Sequence, residues 1–335
     1  MSVLLPVRDA APTLPAALRS VLASRDVDLD LVCVDDGSQD DTPAILERFA
    51  AGDPRVRVLH REPRGIVAAL NAGLASCRSP LVARMDADDE MHPERLARQA
   101  TMLDGDAGLT LVGCQVESFR DGGLAAGWSL YTEWVNGLVS EPEIAREAFI
   151  ECPVPHPTWM FRRDAVRTLG GYRDEPWPED LDLLYRLFAA GMRVGKVARV
   201  LHRWRDHEAR MSRRDPRYAR EAFARVKARF IASIHPMPAA VVWGAGRTGR
   251  RWVRLLEAEG LETRALIDIH PGRIGSRWRG IPIHGPEALA ALAPGWRREG
   301  LLILAAVASR GARGEIRREL AALGLTEGVD FLMVA

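Results

Sequence analysis

Residues 29–42 read LDLVCVDDGSQDDT, and this stretch decides the fold. Leu31 to Val34 form an unbroken apolar run that meets two carboxylates, Asp35 and Asp36, and then turns through Gly37 and Ser38. A run of this kind describes a buried strand of a largely parallel sheet, ending where such sheets bind ligands. The same pattern continues in both directions, with strands expected at 2–7, 29–34, 55–59, 80–85 and 109–113. Between them Leu14, Leu18, Val21 and Leu22 recur at helical spacing, and Thr42-Pro43 opens another helix with proline near its first position. Alternating strands and helices define an α/β fold class.

The chain has 335 residues, more than one domain usually holds, and 47% of them are hydrophobic, enough for two packed cores. A helix is expected from 179 to 190, an extended segment from 194 to 204 and a long amphipathic helix from 216 to 234. The last ends in His235-Pro236-Met237-Pro238, which sets a domain boundary. The expected domains are 1–235, including the helix 216–234, and 239–335, where a second α/β pattern begins. With 46 basic against 45 acidic residues there is no global field of the kind nucleic-acid binders carry. Cys33, Cys77, Cys114 and Cys152 form no C-x-x-C pair, so reduced, buried thiols and a cytoplasmic location are expected. No signal peptide and no run of about 20 apolar residues is present, which leaves peripheral docking at the inner membrane face open.

Three carboxylate clusters carry the chemistry. The first is Asp35-Asp36 at its strand end. The second lies in LVARMDADDEMHP, residues 81–93, where another strand runs into Asp86, Asp88 and Asp89, with Glu90 behind them. Hard oxygen ligands at a D-x-D spacing suit Mg²⁺ or Mn²⁺, ions that commonly bridge a protein carboxylate to a substrate phosphate. A solvated acidic turn ahead of a helix accounts for Asp89 and Glu90 better than for Asp86. The third is PWPEDLDLLYRL, residues 176–187, with Glu179, Asp180 and Asp182 opening a helix. His156, Trp159, Arg162 and Arg163 stand upstream of it and Arg203, Trp204, Arg205 and His207 downstream.

Taken in order, VDDGSQDDT, DADD, HPTWMFRR, GGY and PEDLDLLYRL resemble the inverting family 2 glycosyltransferases over roughly residues 2–215. The resemblance implies a GT-A type nucleotide-diphospho-sugar transferase domain. It implies that Asp36 contacts the nucleotide base, with the backbone near Pro6, Val7 and Arg8, and that Asp86 and Asp88, flanking Ala87, serve ribose and metal. Arg64 and Asn71, in PRGIVAALNAG, would line the donor site, although Asn71 could equally brace a helix. Asp180, beside Glu179, would be the catalytic base that takes the acceptor proton. Arg203, Arg205 and His207 are candidates to clamp the diphosphate, with His207 an additional metal ligand.

In AVVWGAGRTG, residues 240–249, Gly244, Gly246 and Gly249 form a G-x-G-x-x-G between an apolar strand and a helix. Asp268 closes the next strand at about the 20-residue spacing of a dinucleotide site. The segment resembles Rossmann-type modules, so NAD or another nucleotide is its expected ligand. No tyrosine follows Tyr218 and no lysine follows Lys227, which excludes a short-chain dehydrogenase pair and favours a binding module. The expected activity is inverting, metal-dependent sugar transfer from a nucleotide-diphosphate donor to a glycan, lipid-linked or protein acceptor, in polysaccharide or glycoconjugate assembly. The competing reading is a non-catalytic protein that responds to nucleotide-sugar or NAD.

Overall fold

Ser2–Val7 is buried along its whole length and forms the centre of the first sheet in a computed structural model of the chain. The structure describes residues 1–335 except 121, 122, 125, 209, 236 and 310. The strands are β1 Ser2–Val7, β2 Asp30–Asp35, β3 Val56–His60, β4 Leu81–Arg84, β5 Glu90–Met91, β6 Leu109–Phe119, β7 Met160–Arg162 and β8 Arg193–Arg205. The later ones are β9 Ala239–Trp243, β10 Glu262–Ile267, β11 Arg277–Trp278, β12 Ile281–His284, β13 Leu302–Ala305 and β14 Phe331–Met333. Helices are α1 Leu14–Leu22, α2 Thr42–Gly52, α3 Ile66–Ser76, α4 Arg95–Gly105, α5 Ala126–Gly137, α6 Glu141–Glu147 and α7 Arg163–Thr168. They continue as α8 Glu179–Ala189, α9 Met211–Arg214, α10 Arg220–Ile234, α11 Arg247–Ala258, α12 Leu289–Arg298 and α13 Ala312–Ala322.

The chain divides into two compact units. The first comprises Met1–Ala145 and Pro153–Asp215, and the second Arg146–Cys152 and Pro216–Ala335. In the first, eight strands run in the order β3-β2-β1-β4-β7-β6-β8-β5. β3, β2, β1 and β4 are mutually parallel, whereas β7 lies antiparallel to both β4 and β6. The chain leaves β1 toward β2 and β3 and returns to β4 on the other side, so the strand order reverses there, the kind of switch point at which open α/β sheets bind ligands at their carboxyl ends. Leu14, Ala17, Leu18 and Val21 of α1 are buried together with Val3, Leu5, Leu31 and Cys33. This is the apolar face that the helical spacing predicted. The strand expected at 109–113 extends to Phe119 because β6 pairs with β8 along its length. β5 and β7 were not foreseen; each is too short to show a period.

In the second unit the order is β11-β12-β10-β9-β13-β14, all parallel except the edge strand β11. Trp243, Ile267, Ile303 and Phe331 pack in its core. The helix expected to close the first domain belongs to this unit instead, beginning at Arg220 after a short turn at Pro216–Tyr218. A strip of chain from the middle of the sequence joins it. Lys227 of α10, buried and therefore held below its ordinary pKa, donates to the Ile150 carbonyl at 2.6 Å. Arg317 of α13 reaches both Glu147 (2.7 Å) and Glu327 (2.9 Å). Gly249 allows the glycine-rich turn to close, because a β-carbon there would collide with the Gly244 carbonyl. Among the described residues no helix is long and apolar enough to cross a membrane, and the four cysteines are buried and form no disulfide.

Candidate functional site

The first carboxylate pair is bound by its own turn and by the segment that follows β3. Asp35 accepts from the Ser38 amide and meets His60 Nδ1, both at 3.0 Å. Asp36 accepts from the backbone N–H of Arg64 at 3.0 Å and of Gly65 at 2.7 Å, while its own N–H donates to the Val7 carbonyl. Pro6, Val7, Arg8, Asp36 and Arg64 are therefore brought together at the carboxyl ends of β1 and β2. Arg8 and Arg64 keep exposed side chains there, whereas Asp36 is buried, with both oxygens taken by amides.

The second cluster sits at the carboxyl end of β4. Asp86, Asp88 and Asp89 each offer a carboxylate oxygen, and the three atoms lie within 4.8 Å of one another. Like charges this close need compensation, and several groups provide it. Asp86 contacts the buried Arg84 guanidinium, although burial still lifts its pKa above the usual range. Burial also pushes Asp88 up, but the hydrogen bond from His207 Nε2 at 2.7 Å and the Arg210 charge leave it below its ordinary value. Asp89 is raised well above the carboxylate range by burial and then by the charges of Asp88 and Asp86. Between Asp86 and Asp88, the Ala87 carbonyl accepts from the Thr13 hydroxyl at 3.0 Å, which pins the turn to the start of α1.

Arg205 was expected on the diphosphate, but its guanidinium is occupied in bracing this turn. Its Nε donates to the Asp88 carbonyl at 2.9 Å, Nη2 lies 3.3 Å from Glu90, and the plane stacks on Phe119 at 4.4 Å. Arg203 likewise pairs with Glu90 at 2.7 Å. Besides Arg84, Arg210 acts on the cluster. It lies over the rings of Trp128 and Trp204 at 5.0 and 4.8 Å, and its charge acts on all three aspartates. Sequence reasoning passed over Arg84 and Arg210. For Arg84 a signal existed, since an arginine inside the apolar strand run LVARM needs a buried counter-charge; for Arg210 there was none.

The third cluster forms around α8. Asp180 is half-buried and accepts from the Leu181 amide at 2.7 Å, while Glu179 is buried with an oxygen 3.8 Å from His156 Nδ1. Asp182 is structural: it pairs with Arg186 at 2.7 Å, and Arg186 holds the carbonyls of Leu169 and Gly171. Asn71 also serves as a brace. Its amide nitrogen donates to the Tyr172 carbonyl at 2.8 Å and its oxygen accepts from the Tyr172 N–H at 2.9 Å, the bracing alternative to lining the donor site. Gly171 has φ +70°, and a β-carbon there would lie 2.6 Å from the Asn71 oxygen. Gly171→Ala should therefore lower stability by about 1–3 kcal/mol, read as a shift of the urea midpoint at constant slope.

Arg84 links the second and third clusters. Burial alone would lower its pKa, but Asp86 first, then Tyr172 and Glu179, raise it above the ordinary value. Tyr172 in turn bonds His156 at 3.0 Å, and burial followed by the Arg84 charge holds that imidazole far below its usual pKa. The buried Arg84 charge thus pairs with Asp86 and is felt at the Glu179 end of α8.

In the second unit, the Asp268 carboxylate accepts from the amides of Ala245 and His270, both at 2.8 Å, and pairs with Arg273 at 3.0 Å. These bonds overcome its burial and depress its pKa. It closes the loop of Gly244, Gly246 and Gly249 and does not extend toward open solvent as a free ribose ligand would.

Residues 2–170 match the model of glycosyl transferase family 2. The amylovoran biosynthesis glycosyltransferase AmsE of Erwinia amylovora is 32% identical over 174 residues, covering 51% of this chain and 62% of that protein. The pre-mycofactocin glycosyltransferase of Mycobacterium tuberculosis is 29% identical over 276 residues, 80% of this chain and 55% of its own length. Among solved structures, S. aureus TarS 1-349 in complex with UDP-GlcNAc superposes with a TM-score of 0.53 at 17% identity, over 77% of this chain and 70% of that one. Mannosyltransferase PcManGT from Pyrobaculum calidifontis, with GDP-Man and Mn²⁺, gives 0.50 at 18% identity over 97% and 80%. The family model covers half the chain and includes the first two carboxylate clusters, and on that match the chain belongs to glycosyl transferase family 2.

Proposed function

We propose that this protein is an inverting, divalent-metal-dependent glycosyltransferase that moves a sugar from a nucleotide-diphosphate donor to an acceptor in polysaccharide or glycoconjugate assembly. The observation that carries the reading is the cluster of Asp86, Asp88 and Asp89, with His207 already on Asp88 at 2.7 Å. Two accessible carboxylates and an imidazole suit Mg²⁺ or Mn²⁺ bound jointly with a phosphate. Asp86, Asp88 and His207 would hold the ion, which when bound supplies charge compensation for the departing diphosphate. The pairing of PcManGT with Mn²⁺ and of TarS with UDP-GlcNAc supports a nucleotide-sugar donor and a metal.

Asp36 fixes the loop carrying Arg64 and Gly65 and so shapes the nucleotide side of the site. Asp180 receives the proton of the attacking acceptor hydroxyl. Glu179, buried against His156, orients the first turn of α8 behind it. A single carboxylate base opposite the leaving group gives attack from one face and inversion at the anomeric carbon, by the same logic that separates the two glycosidase mechanisms. Arg210, stacked on two indoles beside the acidic turn, is better placed than Arg205 to meet the diphosphate.

The parallel order of the second unit, with its glycine-rich turn at the start of α11, supports a Rossmann-like nucleotide-binding module as the reading of residues 216–335. The engagement of Asp268 counts against NAD as its ligand. The non-catalytic alternative is not favoured, since the relatives named above are transferases. A screen of UDP-, GDP- and dTDP-sugars tests the whole reading. Release of nucleoside diphosphate should appear with Mg²⁺ or Mn²⁺ and vanish on chelation. Tight donor binding without release, across plausible acceptors, would return the non-catalytic reading.

A further inference from the structure

Asp89 differs from its two neighbours in how it is held. Its side chain is 1% exposed, against 25% for Asp86 and 27% for Asp88. One oxygen accepts from His202 Nε2 at 2.8 Å and the other from the Arg205 amide at 2.8 Å. The tautomer of His202 follows from its other partner. Arg95 Nη1 lies 3.1 Å from His202 Nδ1, and a guanidinium can only donate, so Nδ1 accepts and the proton stands on Nε2, aimed at Asp89.

Arg95 is itself held on several sides. It is fully buried, its Nε donates to Gln99 at 3.1 Å and its Nη2 to the Arg84 carbonyl at 2.8 Å. Gln99 is anchored in turn on the carbonyls of Val112 and Thr158. A chain of directed donors thus runs from α4 through β8 to the acidic turn. It ends at Arg205, whose side chain holds the Asp88 carbonyl and which stands two positions before His207, the partner of Asp88.

We infer that Arg95 and His202 are positioning residues for sugar transfer, and that Asp89 is not a metal ligand but the strut through which they act. Held from both sides, Asp89 fixes the turn bearing Asp86 and Asp88 against the strand end bearing Arg205 and His207. Asp88 and His207 then present their ligand atoms to one point. The inference rests on the proposed metal role of Asp86, Asp88 and His207. Donors behind a ligand shell commonly set metal affinity by about 10–100-fold.

Two substitutions at one position separate positioning from packing. In His202→Asn the amide oxygen takes the place of Nδ1 and keeps the bond from Arg95, but the side chain stops short of Asp89. In His202→Gln the amide nitrogen takes the place of Nε2 and still donates to Asp89. Binding of Mn²⁺ alone, and of Mn²⁺ with UDP or GDP, is followed by the electron paramagnetic resonance signal of the free ion, alongside thermal midpoints. His202→Asn should bind Mn²⁺ about tenfold more weakly or worse, and His202→Gln should regain most of that loss at a similar midpoint. Native affinity in both variants, with lowered midpoints only, would reduce the network to packing and overturn the inference. Tighter binding in His202→Asn would also overturn it, because a released Asp89 would then be acting as a ligand. Asp88→Asn is the control: if it too binds Mn²⁺ as the native protein does, the metal reading fails and the positioning role falls with it, a result distinct from loss of the strut alone.

Discussion

Asp180→Asn is expected to lower turnover by about 10²–10⁴-fold, the usual worth of a positioned general base. The substitution keeps size and shape, and an asparagine oxygen can still accept from the Leu181 amide as Asp180 does at 2.7 Å. Helix α8 should therefore form as before, and donor affinity should stay near native. What is lost is the capacity to take a proton. Release of nucleoside diphosphate at saturating donor and acceptor measures the effect, with calorimetric donor binding as the parallel. Unchanged turnover would remove Asp180 from the chemistry, and equal losses in binding and turnover would make it a structural residue.

The second large effect is expected at Asp88. Asp88→Ala removes a carboxylate from the acidic turn and leaves His207 without its 2.7 Å partner. A metal stabilises charge in a transition state by several kcal/mol, and each 1.4 kcal/mol is about tenfold, so turnover should fall by roughly 10³-fold or more. Chelation of the native enzyme should reach the same floor, and chelating the variant should add little, because both treatments remove one contribution. Retention of metal-stimulated transfer by Asp88→Ala would rule out the proposed ligand set.

Strand ends, helix faces and the acidic turns were legible because each is a local pattern: Leu31 to Asp36 states burial and then charge, and Leu14 to Val21 states a helical face. The partners of those acids were not legible. Asp36 closes on amides of residues 64 and 65, Asn71 on the backbone of Tyr172, and Asp89 on His202, contacts whose members lie 28 or more residues apart. No spacing rule connects them. Arg205 shows the cost of reading charge alone, since an arginine beside phosphate-binding candidates turned out to be held by the Asp88 carbonyl, Glu90 and Phe119. The boundary near residue 235 failed for a similar reason. Helix α10 does end at Ile234, but the bond of its Lys227 to the Ile150 carbonyl goes with its place in the second unit.

The short strip Arg146–Cys152 has a consequence for how the chain is made. Glu147 and its partner Arg317 are separated by 170 residues, which a ribosome adds in roughly 10–30 s at about 5–20 residues per second. Until that interval ends the strip carries a carboxylate and an apolar Ile150 side chain whose resting place has yet to be completed. Stop codons or expression boundaries placed anywhere after residue 152 and before residue 317 would leave it permanently without its Arg317 partner. For anyone trimming the protein to its sugar-transferring half, the strip should be redesigned along with the cut.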